Sequence, residues 1–203
     1  FNDASFDPTA LVGGYFSDIK SNVKLGKGEL FITEACEYKE SFLSFYPKVG
    51  VILNIDEDHL DYYKNLDHIV SAFVKFSSNV KDKGSLVLNG DDYNSRKILP
   101  YYKGKCITFG LGEHCDYVAK NVTYNNMGYP TFDIFHKEKL VTSLSLQVPG
   151  QHNIYNALAA FTVALLVTKD INRIQSALNT FKNANRRFEW IGTENGITIV
   201  DDY

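Results

Sequence analysis

The chain has 203 residues, enough to bury a core of ordinary size, and predicts one large domain or one domain with a small lobe. Its 44% hydrophobic and 22% charged residues match globular averages, and a formal charge of −3 argues against a general binder of nucleic acid or anionic membrane. No apolar run is long enough to cross a bilayer, no cleavable signal is visible, and three cysteines without CxxC spacing fit a reducing cytoplasm better than a disulfide scaffold.

Along the first half, short β-rich runs alternate with helical stretches. Residues 30–33 read as a buried strand and residues 37–45 as a short helix. Residues 49–55 (VGVILNI) form a continuous apolar run, which suits a strand covered on both faces. Over residues 67–80, Ile69, Phe73 and Phe76 fall at spacings of four and three, as on an amphipathic helix. Residues 85–89 (SLVLN) and 105–109 (KCITF) read as further strands, with a helical stretch over 91–99 that stops at Pro100. This alternation predicts an α/β domain with a mostly parallel sheet flanked by helices.

After Gly112 the texture changes. Residues 116–124, 131–136 and 142–148 are three β-rich runs separated by turns, so the region 115–148 is expected to be an antiparallel meander attached to the main sheet. Pro149-Gly150 ends it. Residues 152–167 then form the most helical stretch of the chain, with Leu158, Phe161, Leu165 and Leu166 on a broad apolar face. A second helix is expected over 171–181, and a last strand over 197–200.

Two acidic clusters fall just past the carboxyl ends of predicted parallel strands, where open α/β sheets bind ligands. They are Glu34-Ala35-Cys36-Glu37-Tyr38 and the run from Asn54 through Asp56, Glu57, Asp58 and His59 to Asp61. If their strands are neighbours, carboxylates and one imidazole share a rim suited to a divalent cation bound to phosphate. Taken alone, the same residues also fit solvated turns and helix N-caps. Cys36 and His59 can be paired on paper as thiol and base, but nothing local marks Cys36 as electropositive and Glu34 and Glu37 flank it, which disfavours a cysteine hydrolase. Asn153 and Asn156, three apart at a helix start, present two amides on one face; they suit a purine edge or simple capping. The Arg186-Arg187 pair offers a guanidinium for phosphate, and equally reads as a surface pair.

Each motif is weak alone, but their order and spacing are specific. The run TEACEY, NIDEDHLDYY, LNGDD, VPGQHNIYNALAA, NANRRFEW and IVDDY, with DPTALVGG before it, resembles the ATP-binding central domain of the Mur ligases over essentially the whole chain. The resemblance implies a P-loop-type α/β sheet and an ATP-dependent amide ligase of peptidoglycan precursor synthesis. EAxEY and the RRFE…DDY pairing point to the alanine-adding members, which join L-alanine to UDP-N-acetylmuramate through an acyl phosphate; the tripeptide-recycling members compete.

Residue by residue, the resemblance implies that Glu34 and His59 hold a metal ion, Mg²⁺ with Mn²⁺ possible, near the ATP γ-phosphate. It sets Asn153 and Asn156 near the adenine with His152 beside them, Arg187 at the nucleotide phosphates and Asp202 near the ribose. Cys36 stands where an aspartate is usual, which removes one carboxylate and leaves Glu34 and Glu37. No GxxxxGK[ST] pattern occurs in these residues. The phosphate-binding loop, the N-terminal UDP-sugar domain and the C-terminal domain are therefore expected to lie outside them. Alone, the chain is expected to be inactive as a ligase and weak toward ATP. A non-catalytic nucleotide-binding or partner-binding module is the reading from another class.

Overall fold

A computed structural model describes residues 1–2, 4–16, 21–182 and 187–202. Its centre is a six-stranded sheet of β4 (Val49–Ile52), β5 (Ser85–Asn89), β6 (Lys105–Gly110), β7 (Tyr117–Tyr124), β8 (Pro130–His136) and β9 (Lys139–Ser145), in that spatial order. Pairing is parallel from β4 to β7 and antiparallel from β7 to β9. The expected mostly parallel sheet and its antiparallel meander are therefore one continuous surface.

β5 explains how the layers form. All five of its residues are buried, and alternate side chains serve opposite faces. Val87 joins Phe109, Phe132, Ile134, Leu144, Leu158 and Phe161 on one face. That face is covered by α3 (Gln151–Val167) and α4 (Ile171–Thr180). Leu86 and Leu88 point the other way, to Ile52, Ile69, Phe76 and Ile98. There α1 (Leu66–Ser78), the short α2 (Tyr93–Arg96) and a 3-10 segment over Tyr38–Ser44 complete the layer.

Local chemistry sets the helix starts. Asn65 caps α1 by accepting the His68 N–H, Asp92 caps α2 through the Ser95 N–H, and Asp170 caps α4 through the Arg173 N–H. Helix α1 spans most of the predicted stretch and stops two residues short of Val80; Ile69 and Phe76 are buried on its inner face while Phe73 is partly buried. No described helix is long and apolar enough to cross a membrane.

Two small sheets stand apart from the main one. In the first, β1 (Thr9–Phe16) lies between β2 (Ser21–Lys24), antiparallel to it, and β3 (Phe31–Thr33), parallel to it. In the second, β10 (Glu189–Glu194) pairs with β11 (Ile197–Asp201) as a hairpin. Three expectations need correction here. The strand near residues 30–33 is exposed rather than buried, with Phe31 at 60%, and it pairs with β1 instead of joining the main sheet. The run 49–55 stops as a strand at Ile52 and forms the sheet edge, where Val51 is exposed; its apolar composition came from one buried face and Ile55. Helix α2 is also much shorter than 91–99, because the tail of that run turns into Pro100.

Candidate functional site

The rim of the main sheet gathers most of the expected residues. β4 ends at Ile52, and residues 53–64 cross the carboxyl ends of the parallel strands. Ile55 pins this loop: its side chain is 2% exposed, its N–H donates to Asp92 Oδ2 (3.2 Å) and its carbonyl accepts from Asn94 Nδ2 (2.9 Å). Tyr63 pins the far end, 1% exposed, with its hydroxyl donating to the Glu37 carbonyl at 2.5 Å. Burial, then the Glu40 charge, pushes the Tyr63 phenol up to about 12, so it remains a donor at neutral pH.

Between these anchors His59 adopts a left-handed backbone, φ 51°. Its carbonyl accepts from the Tyr62 and Tyr63 N–H groups, and its N–H donates to Asp58 Oδ1. Such a conformation costs a residue with a Cβ about 1–2 kcal/mol, and strain of this kind concentrates where a side chain must be aimed. The ring is aimed at carboxylates: Nε2 lies 3.6 Å from Glu37 Oε1 and Nδ1 lies 3.8 Å from Asp58 Oδ1. Tyr38 flanks it, ring centroids 4.8 Å apart, and holds Asp61 through its hydroxyl (3.0 Å). A cavity of about 290 Å³ opens alongside, lined by Glu37, Asn54, Asp56, Glu57, Asp58 and Tyr63.

The two acidic clusters thus meet, though not for the expected reason. Their strands lie in different sheets, and it is the 3-10 segment after β3 that carries Glu37 and Tyr38 to the His59 loop. Glu34 stays with the smaller sheet, where its Oε2 accepts the Gly13 N–H at 2.5 Å. Among the described residues, the groups converging on the imidazole are Glu37 and Asp58. Cys36 is exposed beside them.

The asparagines sit at the start of α3. Gly150, the residue before the helix, has φ 91° and ψ 152°, a region open essentially to glycine alone. Asn153 is 6% exposed, and its Nδ2 donates to the Pro149 carbonyl (2.7 Å), which settles one amide donor locally. Its Oδ1 accepts from Nδ2 of the exposed Asn156 (3.1 Å), so the two amides do share a face. His152 is exposed next to them. One turn in, the Tyr155 hydroxyl donates to Asp91 Oδ2 (3.1 Å), and Asp91 also accepts the Leu111 and Gly112 N–H groups. This carboxylate ties the α3 start to the loops after β5 and β6. Sequence reasoning gave it no role; its signal was the LNGDD motif, a Gly-Asp-Asp turn directly after a fully buried strand.

At the open end of the β10–β11 hairpin, the N–H of Phe188, the residue after Arg187, donates to Asp202 Oδ1 (3.1 Å), and Glu189 pairs with Asp201. This hairpin is a sheet of its own, separate from the six-stranded sheet against which the His59 loop and α3 lie. Arg186 and Tyr203 lie outside the described residues.

Chemically, the His59 rim is a donor set for a hard or borderline divalent ion. Adjacent ligands about 2.1 Å from such an ion lie roughly 3 Å apart, and one atom each from Glu37, Asp58 and His59 lie within 4.8 Å of one another, so side-chain movement has to draw them in. Four carboxylates on one cavity, from Glu37, Asp56, Glu57 and Asp58, repel phosphate unless a cation neutralises them.

Comparison with known proteins agrees with the architecture. The family model described as the Mur ligase middle domain matches residues 17–164. A curated UDP-N-acetylmuramate–L-alanine ligase of Caldanaerobacter subterraneus subsp. tengcongensis is 44% identical over 200 residues, covering 98% of this chain and 44% of that protein. Among solved structures, the UDP-N-acetylmuramate–alanine ligase of Thermotoga maritima superposes with a TM-score of 0.84 at 27% identity, over 100% of this chain and 45% of that one. The UDP-N-acetylmuramate:L-alanyl-γ-D-glutamyl-meso-diaminopimelate ligase of Neisseria meningitides gives 0.80 at 26% identity, over 91% and 60%. The chain thus spans less than half the length of the curated relative. With its sheet order, rim and motifs in agreement with these matches, the chain belongs to the Mur ligase family, of which it contains the middle domain.

Proposed function

We propose that this domain serves an ATP-dependent ligase that joins L-alanine to the carboxylate of UDP-N-acetylmuramate, releasing ADP and phosphate. The observation that carries the reading is the 44% identity to an alanine-adding ligase across 98% of the chain.

In that reaction the sugar-acid carboxylate attacks the ATP γ-phosphate to give an acyl phosphate. The alanine amine then adds to the acyl carbon, and phosphate leaves from the tetrahedral intermediate. Both reactants of the first step are anions, so the site must neutralise them before they approach. A bound Mg²⁺ or Mn²⁺ supplies charge neutralisation and orientation of phosphate oxygens. His59 would hold it, with Glu37 and Asp58 facing the ring, and Glu34, the partner the resemblance implies, would have to leave the Gly13 N–H to join them. The fixed His59 backbone keeps the imidazole in place through the reaction, so little reorganisation is needed. Asn153 and Asn156, with His152 beside them, hold the adenine; Arg187 offsets charge on the nucleotide phosphates and Asp202 meets the ribose. The shared amide face of the two asparagines supports the adenine assignment. The Phe188 N–H bond to Asp202 ties the strand that follows Arg187 to Asp202, which supports setting the two assignments at one end of the nucleotide.

A second reading, ligation of a preformed tripeptide to the same nucleotide sugar, has the likeness to the Neisseria enzyme in its favour. Offering the full-length protein UDP-N-acetylmuramate with L-alanine, and separately with the free tripeptide, distinguishes the two by ADP release and product mass. Alanine-dependent turnover is expected. Turnover with the tripeptide alone transfers the assignment to the second reading, and turnover with neither removes both.

A further inference from the structure

Away from the His59 rim, the turns after β5 and β6 bring together a carboxylate, an imidazole and a thiol. Asp91 Oδ1 lies 3.5 Å from His114 Nε2 and 3.8 Å from Cys115 Sγ, and the three ligand atoms all fall within 4.8 Å of one another. We propose that Asp91, His114 and Cys115 form a binding site for one thiophilic divalent cation, Zn²⁺ by its chemistry.

The spacing fits the ion. Ligands about 2.0 Å (N, O) and about 2.3 Å (S) from a tetrahedral zinc lie roughly 3.3–3.5 Å apart, within a few tenths of an ångström of the two distances to Asp91. The backbone has been cleared for the sulfur: a Cβ at Gly90 would lie 2.5 Å from Cys115 Sγ, and one at Gly110 would lie 2.6 Å from Asp91 Oδ2. Charge also closes, because one carboxylate and one thiolate balance a dication and the imidazole enters neutral. Support from behind is in place: Asp91 is oriented by the Leu111 and Gly112 N–H groups and by Tyr155, as outer partners orient a metal ligand.

Selectivity follows from the donors. A thiolate with an imidazole suits zinc, whereas the oxygen-rich His59 rim suits Mg²⁺ or Mn²⁺. Without an ion, burial and the neighbouring Asp91 charge push the Cys115 thiol up to about 12. Binding therefore expels the thiol proton to solvent, one per ion. His114 Nε2 also exchanges its contact with the Gly90 carbonyl (2.9 Å) for the metal, and water takes the fourth position.

Co²⁺ is the probe, since a thiolate ligand gives it a charge-transfer band in the near ultraviolet. The full chain is expected to take up one such Co²⁺, with the band displaced by Zn²⁺. Cys36→Ser, Cys106→Ser and His59→Ala should each keep the band, while Cys115→Ser abolishes it. Cys115 is buried and its variant can fail to fold. The half-exposed His114 provides the second handle: His114→Ala should weaken Co²⁺ binding at least about tenfold. No band, a band that survives Cys115→Ser, or an affinity indifferent to His114→Ala would overturn the site.

Discussion

On the proposed function, His59→Ala in the full-length protein is expected to lower kcat for ADP formation by about 10²–10³-fold, the usual cost of losing one electrostatic contact in an active site. Much of the local structure serves this ring. Its backbone is held at φ 51°, two N–H groups bind its carbonyl, and its nitrogens face Glu37 and Asp58. Without the imidazole, a cavity lined by four carboxylates retains its negative charge and loses its nitrogen donor. The ring is about a third exposed, so the fold should tolerate its removal with a change in thermal midpoint of a few degrees. Steady-state kinetics and thermal unfolding on the same sample separate the two effects. Full activity in the variant would remove His59 from the mechanism.

Phe161→Ala should instead damage the fold. Phe161 is fully buried where α3 packs on the sheet, among Val87, Phe109, Phe132, Ile134 and Leu144, with Tyr117 at its edge. Such truncations cost about 3–5 kcal/mol, because the cavity only partly collapses. For a domain of this size that corresponds to a thermal midpoint lower by roughly 6–20 °C. Leu25→Ser is the contrast: Leu25 is 85% exposed, and its replacement should stay within about 0.5 kcal/mol. Similar shifts for both variants would contradict the core assignment.

The sequence reading succeeded where one local pattern had one structural solution. The SLVLN run is a strand with the predicted bounds, since five buried residues with turn signals on both sides leave no other way to satisfy the backbone. Helix α1 follows from its apolar spacing, and the meander from its turns. Misreading began where partners decide. Residues 30–33 and 49–55 look equally apolar, yet one strand pairs with β1 and the other becomes a sheet edge, and pairing is not written in either run. The strand β10 was passed over because Gly192 and Thr193 dilute its pattern; its partner β11 completes it.

The site divides in the same way. Residue types at the rim were legible, because strand-to-helix turns in a parallel sheet gather on one side. Which carboxylates reach His59 was not. That depends on the left-handed Lys39 and Glu40, which turn the 3-10 segment and bring Glu37 to the imidazole while Glu34 remains on Gly13. The Asp91 network was likewise hidden, since Tyr155 is 64 residues away in sequence.

On the proposed function, the His59 rim holds the divalent cation that accompanies ATP. Mn²⁺ reports this directly, by pulsed electron paramagnetic resonance of the full-length protein with ATP bound. The expected result is a nitrogen hyperfine coupling from a directly bound imidazole, present in the wild type and absent in His59→Ala. Mn²⁺ with an all-oxygen coordination in the wild type, or a nitrogen coupling that persists in His59→Ala, would contradict the account.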